Sequence, residues 1–146
     1  MKQKIFLAAP FKKVMDPQTS LLEDNIKRQI EKLISVLEEK GYSVHNAHKR
    51  EEWGNKFMGP NECTKVDYEE IKKCDIFIAF PGIPASPGTH IEIGWASAFN
   101  KKIILLLLES EENYAYLIRG LSVVSNVQYI VYQNEEDYLD SLISIL

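Results

Sequence analysis

The sequence predicts an α/β fold with a parallel sheet covered by helices on both faces. Two observations predict it. Strand-like apolar runs alternate with helical patterns along the chain. Two of those runs, "DIFIAF" and "KIILLLL", are apolar at successive rather than alternate positions, as expected of strands covered on both sides.

The elements follow in order. "KIFLAAP" is a first strand ending at Pro10. After a loop holding Asp16 and Pro17, Leu22, Ile26, Ile30, Leu33 and Leu37 recur at helical spacing; Thr19 or Ser20 caps this helix and Gly41 stops it. "YSVHNA" is a second strand. "HKREEWGNKFMGPNE" is polar and marked by Gly and Pro, which predicts a long loop with at most a helical turn. A helix from about Glu62 to Lys73 leads into "DIFIAF". The 81–88 loop, "PGIPASPG", opens a helix over 89–100, and "KIILLLL" is the fourth strand. "ESEENYAYLIRG" predicts a short helix, "VQYIVY" a fifth strand, and "NEEDYLDSLISIL" a closing helix capped at Asn134. Five such strands fit a flavodoxin-like (Rossmann-like) sheet in the order 2-1-3-4-5 within one domain, 1–146. Its switch point brings the loops after strands one and three to one crevice, where ligands bind in such folds.

A chain of 146 residues is long enough to bury about two-thirds of its unfolded surface. With 45% hydrophobic and 26% charged residues, its composition is that of a soluble globular protein. A net charge of −4 gives no general attraction to nucleic acid or anionic membrane. Basic residues concentrate at Lys12, Lys13, Lys49 and Arg50, a pattern suited to a small anionic ligand. Cys63 and Cys74 form no CxxC pair, which argues against a disulfide framework or structural zinc and for a reducing cytoplasm. The N-terminal apolar run is short and broken by Pro10, unlike a signal peptide. No run approaches the ~18 residues of a membrane span.

The chemistry concentrates around two carboxylates. Glu92 follows the small-residue 81–88 loop. As the fourth residue of Thr-x-x-Glu it reads either as the partner of Thr89 in a capping box or as a reactant facing the crevice. The small residues of the loop favour the reactant, and so does Gly94, which implies close packing. Asp67 reads alone as a solvated helix carboxylate, like Glu69 and Glu70 beside it, and Asp75 as a turn residue. His48, Lys49 and Arg50 are either a solvated charged loop or contacts for a phosphate or base. His45 and His90 read as structural. Trp53 is a lid or a packing residue, and Arg119 reaches a ligand or closes a helix end.

"DYEEIKKCDIFIAF", then "SPGTHIEIGWASAFNKKIILLL", "YLIRG" and "QYIVY", resemble in order the nucleoside 2-deoxyribosyltransferase family, over nearly the whole chain. The closer resemblance is to the branch that hydrolyses nucleoside 5′-monophosphates at the N-glycosidic bond. It implies that Glu92 attacks the anomeric carbon and that Asp67 assists proton transfer to the base. The residue types suit this chemistry: one carboxylate stabilises or traps an oxocarbenium-like sugar, and a second acid protonates the departing base. No cofactor or metal is implied.

Three departures from the family pattern bear on the substrate. The transferases carry an acidic residue where this chain has Ser86, and in the monophosphate hydrolases a Ser there contacts phosphate. The amides of Gly88 and Thr89, at a helix start, add donors. The hydrolases often place a Ser, contributed from a neighbouring subunit, where this chain has Ala115. The phosphate turn of the first loop is "AAPFKK" here, so Ala9, Phe11 and Lys12 (or Lys13) line the site, with Phe11 placed to stack on a base as in pyrimidine-nucleotide hydrolases of antibiotic pathways. "HKREEWG" resembles the same branch, and Arg50 and Lys12 are the stronger phosphate candidates. A homodimer or higher homo-oligomer is implied too, with Tyr114, Tyr116 and "LIRG" as the contribution in trans. "PGIPASPGTHIE" also has the outer parts of the signature of cytokinin-activating phosphoribohydrolases, with an insertion that spoils the match. Three functions follow: hydrolase of a small-molecule nucleotide or nucleoside, transferase of its sugar to a second base, or non-catalytic nucleotide sensor. Retention of both Asp67 and Glu92 argues against the last.

Overall fold

Side chains on the strands sort by parity, and that sorting builds the layers. A computed structural model describes residues 2–9, 24–134 and 137–146. Its strands are β1 (Lys4–Ala8), β2 (Ser43–Asn46), β3 (Ile76–Ala79), β4 (Lys102–Leu108) and β5 (Val127–Tyr132). They form one sheet in the order β2-β1-β3-β4-β5, every neighbouring pair parallel. This is the topology expected from the sequence, with the switch point between β1 and β3.

The helices are α1 (Asp24–Glu39), α2 (Ala47–Arg50), α3 (Pro60–Lys73), α4 (Pro87–Ala98), α5 (Tyr116–Arg119) and α6 (Tyr138–Ile145). Ile5, Leu7, Ile76, Ile78, Ile104 and Leu106 face one way and pack on Ile30, Leu33, Ile34 and Leu37 of α1 and Tyr138 and Leu142 of α6. Phe6, Ala8, Phe77, Ala79, Ile103, Leu105 and Leu107 face the other way, onto Ile71 of α3, Ile93 and Ala96 of α4 and Ile118 of α5. Successive residues of a strand point to opposite faces, so a strand apolar at every position fills two cores at once.

Element ends depart from expectation where capping chemistry decides them. Helix α3 starts at Pro60, with Gly59 as its cap, because proline at the first helical position needs no amide partner. At the C-terminus Asn134 is not the cap of α6: Asp137 holds that position, and its carboxylate instead accepts from the Asn134 amide at 3.0 Å. The segment expected as one short helix divides into a 3-10 turn, Glu111–Asn113, and α5. Tyr114 between them is buried in its own chain, its hydroxyl accepting from the Leu108 amide at 2.7 Å, which removes it from any surface offered in trans. Thr19 and Ser20, the expected caps of α1, lie outside the described residues. Gly41 ends α1 at φ +97°, a conformation that strongly favours glycine.

The turn after β2 is fastened from inside. Asn46 is buried; its Nδ2 donates to the Leu7 carbonyl at 3.0 Å, and its Oδ1 accepts from the Lys49 amide at 3.0 Å, capping α2. One side chain therefore ties β1 to the helical turn that carries Arg50. Asn46→Ala leaves a carbonyl and an amide without partners and should lower the unfolding free energy by about 1–3 kcal/mol. Urea denaturation measures this, and an unchanged midpoint would show that the turn holds without the cap.

Candidate active site

Helix α4 begins two residues earlier than expected, and this changes what Glu92 can do. Ser86 is the cap, its Oγ accepting from the Thr89 amide at 3.4 Å, and Pro87 takes the first helical position. Ser-Pro is a stronger start than Thr89 alone, since serine caps well and proline is pre-set for the first turn. Thr89 is buried inside the first turn. The Thr89–Glu92 capping box is therefore overturned: Glu92 stands beyond the first turn with no cap to make. The close packing expected at Gly94 is also absent among the described residues, for a Cβ there or at Gly88 would meet none of them within 4 Å.

What Glu92 meets is Asp67. The two carboxyl groups hydrogen-bond to each other across α4 and α3. Burial raises the Glu92 pKa well above the usual carboxylate range, the charge of Asp67 and the hydrogen bond to it raise it further, and Arg50 opposes. The protonated form of Glu92 is thereby favoured. Asp67 is not a solvated helix carboxylate. Its neighbour Tyr68 packs edge-on against Trp95 and Phe99 of α4, at 5.3 and 5.2 Å between centroids, which fixes α3 against α4.

Asp67 is paired with Arg50. Nη1 of Arg50 donates to Asp67 Oδ1 at 2.6 Å and lies 3.0 Å from His45 Nε2, while Nη2 donates to Glu51 Oε2 at 3.1 Å. Glu51, buried, uses its other oxygen to accept from the Met58 amide at 2.9 Å. The guanidinium fork expected to grip a phosphate is thus engaged by two carboxylates of the chain itself. Its Nε–H is buried and has no hydrogen-bond partner among the described residues.

The remaining candidates scatter. His48 is fully buried, its Nε2 donating to the Ala9 carbonyl at 3.1 Å, so it is no part of a solvated loop; it anchors the strand end where the first loop departs. Phe11, Lys12 and Lys13 lie outside the described residues. Lys49 is exposed beside Glu38 at 3.7 Å. Arg119 stacks over the Tyr116 ring at 5.2 Å. Trp53 packs against the core beneath α1, with Lys27 over its ring at 5.6 Å. Asp75 is more than a turn residue, since its carboxylate accepts from the Lys4 amide at 2.8 Å. Among the described residues no group of three or more His, Cys, Asp or Glu is arranged to hold a metal.

Sequence reasoning missed His45, Glu51 and Glu70. His45 stacks on Phe6 at 5.3 Å, and its Nδ1 lies 3.8 Å from Glu70 Oε2. Asp67 and Glu70 stand three apart on α3 and so share a face. That spacing is visible in "DYEE" and was a signal for the cluster.

The raised pKa of Glu92 has a stability consequence. The native chain holds a proton that the unfolded chain releases near 4.5, so the stability linked to this group is complete below that pH and is lost as pH rises through the folded value. Glu92→Gln should therefore melt higher than the parent, by a margin that widens from about pH 5 to about pH 8. Thermal melts across that range check it; a constant or negative margin would place the proton elsewhere.

A family model for nucleoside 2-deoxyribosyltransferase matches residues 6–137. A Thermofilum pendens protein named "Putative 2′-deoxynucleoside 5′-phosphate N-hydrolase 1" is 30% identical over 146 residues, covering 98% of this chain and 94% of its own length. Among solved structures, the Clostridium botulinum CMP N-glycosidase BcmB is 53% identical with a TM-score of 0.76, covering 99% of this chain and 100% of that one. BlsM, a solution structure, is 46% identical with a TM-score of 0.80, covering 94% and 85%. A conserved protein from Enterococcus faecalis V583, 18% identical at a TM-score of 0.64 over 100% of both chains, shares the fold. This chain belongs to the nucleoside 2-deoxyribosyltransferase family and is an enzyme of the N-glycosidic bond, an N-glycosidase or a (deoxy)ribosyltransferase.

Proposed function

We propose that the protein hydrolyses the N-glycosidic bond of a pyrimidine nucleoside 5′-monophosphate, with CMP or its deoxy form as substrate, releasing free base and sugar phosphate. The observation that carries this reading is the contact of two carboxyl groups, buried Glu92 of α4 and Asp67 of α3. The name of the 53% identical CMP N-glycosidase supports the choice of base and phosphate.

Substrate binding moves the proton from Glu92 to Asp67. A Glu92 oxygen then bonds to C1′ as the C1′–N bond breaks, and the base leaves with the bonding pair and the Asp67 proton. Water next attacks C1′, gives a proton to Asp67, and Glu92 departs as carboxylate. The pair ends with the one proton it began with, so the cycle closes. Arg50 holds Asp67 in place, and its spare Nε–H is a donor for the bound sugar. Ser86, the Gly88 amide and Lys12 take the 5′-phosphate, with Phe11 against the base. Two free cysteines and a nucleotide substrate suit a reducing cytoplasm. Among the described residues no helix is long and apolar enough to cross a membrane.

Transfer to a second base is the alternative the family description favours; Ser86 in place of an acid argues against it. The discriminating assay offers nucleosides and their 5′-monophosphates, with and without added free base, and follows base release. Base should appear from the monophosphate at a rate that added base does not change. Glu92→Gln should lower kcat by about a thousandfold or more, and Asp67→Asn by about 10²–10⁴-fold, the range of a lost general acid. Exchange of bases would make the enzyme a transferase. Equal cleavage of unphosphorylated nucleosides would remove the phosphate site.

The protein is also proposed to be a homodimer. Tyr116, Leu117, Val123 and Val124 are 82, 86, 86 and 77% exposed, an apolar surface around α5 that a second copy would cover. Leu117→Glu with Val124→Asp should convert a dimer to a monomer in light scattering. A parent chain that is monomeric and fully active at micromolar concentration would remove the claim.

A further inference from the structure

Below the carboxylate pair, the guanidinium of Arg50 is flanked by a residue that the reaction as described does not use. Nη1 of Arg50 faces both Asp67 Oδ1 and His45 Nε2. An arginine has only donors, so His45 Nε2 must present a lone pair, and its proton sits on Nδ1. That nitrogen is turned toward Glu70 Oε2, 3.8 Å away. The ring cannot easily rotate out of this tautomer's geometry, because it is stacked on Phe6 at an interplanar angle of 23°. His45, Arg50, Asp67 and Glu92 thus form one chain of contacts through β2, α2, α3 and α4, with Glu70 at its outer end.

We infer that His45 is a positioning residue for this reaction: as a neutral acceptor it fixes Arg50 on Asp67, and so holds in place the carboxylate that faces Glu92. The inference deepens the proposed function and rests on its assignment of Asp67 and Glu92. The physical argument is one of satisfied donors. The Arg50 side chain is largely buried, 17% exposed, and a charged N–H without an acceptor there is costly. With His45 present, one Nη1 hydrogen goes to the imidazole and the other to Asp67. Without it, the guanidinium turns to satisfy itself elsewhere, and Asp67 loses the hydrogen bond from Nη1 that holds it toward Glu92.

A protonated ring has no lone pair, so the same contact makes the arrangement depend on pH. The ring faces Arg50 of α2 and Glu70 and Asp67 of α3, and the polar cleft beside it is lined by Lys4 of β1 and by Cys74. The burial of Cys74 raises its thiol pKa to about 11, so it stays neutral. Burial lowers the ring's pKa, Glu70 opposes, Arg50 lowers it and Asp67 opposes. His45 accordingly remains a neutral acceptor at neutral pH, and the acceptor is lost only in acid.

The test compares His45→Phe, which keeps the stacking and loses the acceptor, with His45→Gln, which can return an acceptor near the Nε2 position. His45→Phe should lower kcat for the monophosphate by about ten- to a hundredfold with little change in KM, the scale of one hydrogen bond to a charged group. His45→Gln should recover most of that loss, and its kcat should lack the acid-side inflection that the parent shows. Carboxyl ¹³C NMR titration of Glu92 provides a readout that needs no turnover: in His45→Phe the Glu92 pKa should rise, because the Arg50 charge that lowers it has moved away. Parent-like titration in a folded His45→Phe, or a Gln variant as impaired as Phe, overturns the inference. If His45→Phe does not fold, an acid limb in His45→Gln identical to the parent's overturns it. Should the parent release no base at all, the proposed function falls, and the titration still decides what His45 does.

Discussion

Two carboxyl groups in contact cannot both ionise without repulsion that grows as water is excluded, and a proton held between them relieves it. Glu92 and Asp67 are in that position. The surroundings are not symmetrical: Arg50 stands on the Asp67 side, and burial bears on Glu92. Burial therefore favours the protonated form of the group proposed to attack. In the proposed reaction, substrate must draw that proton away before Glu92 can act. An enzyme arranged this way responds to whatever perturbs Arg50, since the balance between the two carboxyls runs through a single guanidinium.

The cluster is expensive in folding terms, and the sheet beneath it supplies the stability. Arg50 and Glu51 follow the edge strand β2, whereas Asp67 and Glu92 lie on the helices that flank β3, whose residues are buried on both faces. A parallel sheet with two cores tolerates a strained polar cluster on one side. The strain is visible in the backbone as well: Glu52, Trp53 and Gly54 carry φ values of +50°, +57° and +101°, immediately after the residue pair that fixes Arg50. Non-glycine residues adopt such values only where the surroundings enforce them. Here Glu51, anchored to the Met58 amide and to Arg50, closes the turn.

The fold was legible because its signals are local. Uninterrupted apolar runs at β3 and β4 and helical spacing in α1 predict the strand order and both layers, and the described residues have them. Glu92 and Asp67 were legible as a pair only through a resemblance; nothing in their own spacing says that residues 25 apart are in contact. Cap positions failed at α4 and α6, where Ser86-Pro87 competes with Thr89 and Asp137 competes with Asn134. A cap is decided by tenths to a couple of kcal/mol, and tertiary contacts easily outweigh that. The outer set of His45, Glu51 and Glu70 was read as structural or solvated because each residue alone is commonplace. It acquires meaning only when β2, α2 and α3 are brought together, a long-range event that no window of the sequence contains.

Ser86 shows how a residue can keep two assignments that look exclusive. As the cap of α4 its Oγ accepts from the Thr89 amide, and in the proposed reading it also contacts a 5′-phosphate. The cap uses a lone pair on the oxygen, whereas an anion needs the hydroxyl hydrogen, and a hydroxyl offers both. Capping therefore orients the donor instead of consuming it, and places it at the helix end where the dipole favours negative charge. An acidic side chain at the same position would cap equally well, yet it has no hydrogen to give and would repel the phosphate. In the proposed reading the exchange of acid for serine leaves the start of α4 unchanged while replacing an acceptor for a neutral sugar hydroxyl by a donor for an anion, so that this one position separates a nucleoside site from a nucleotide site.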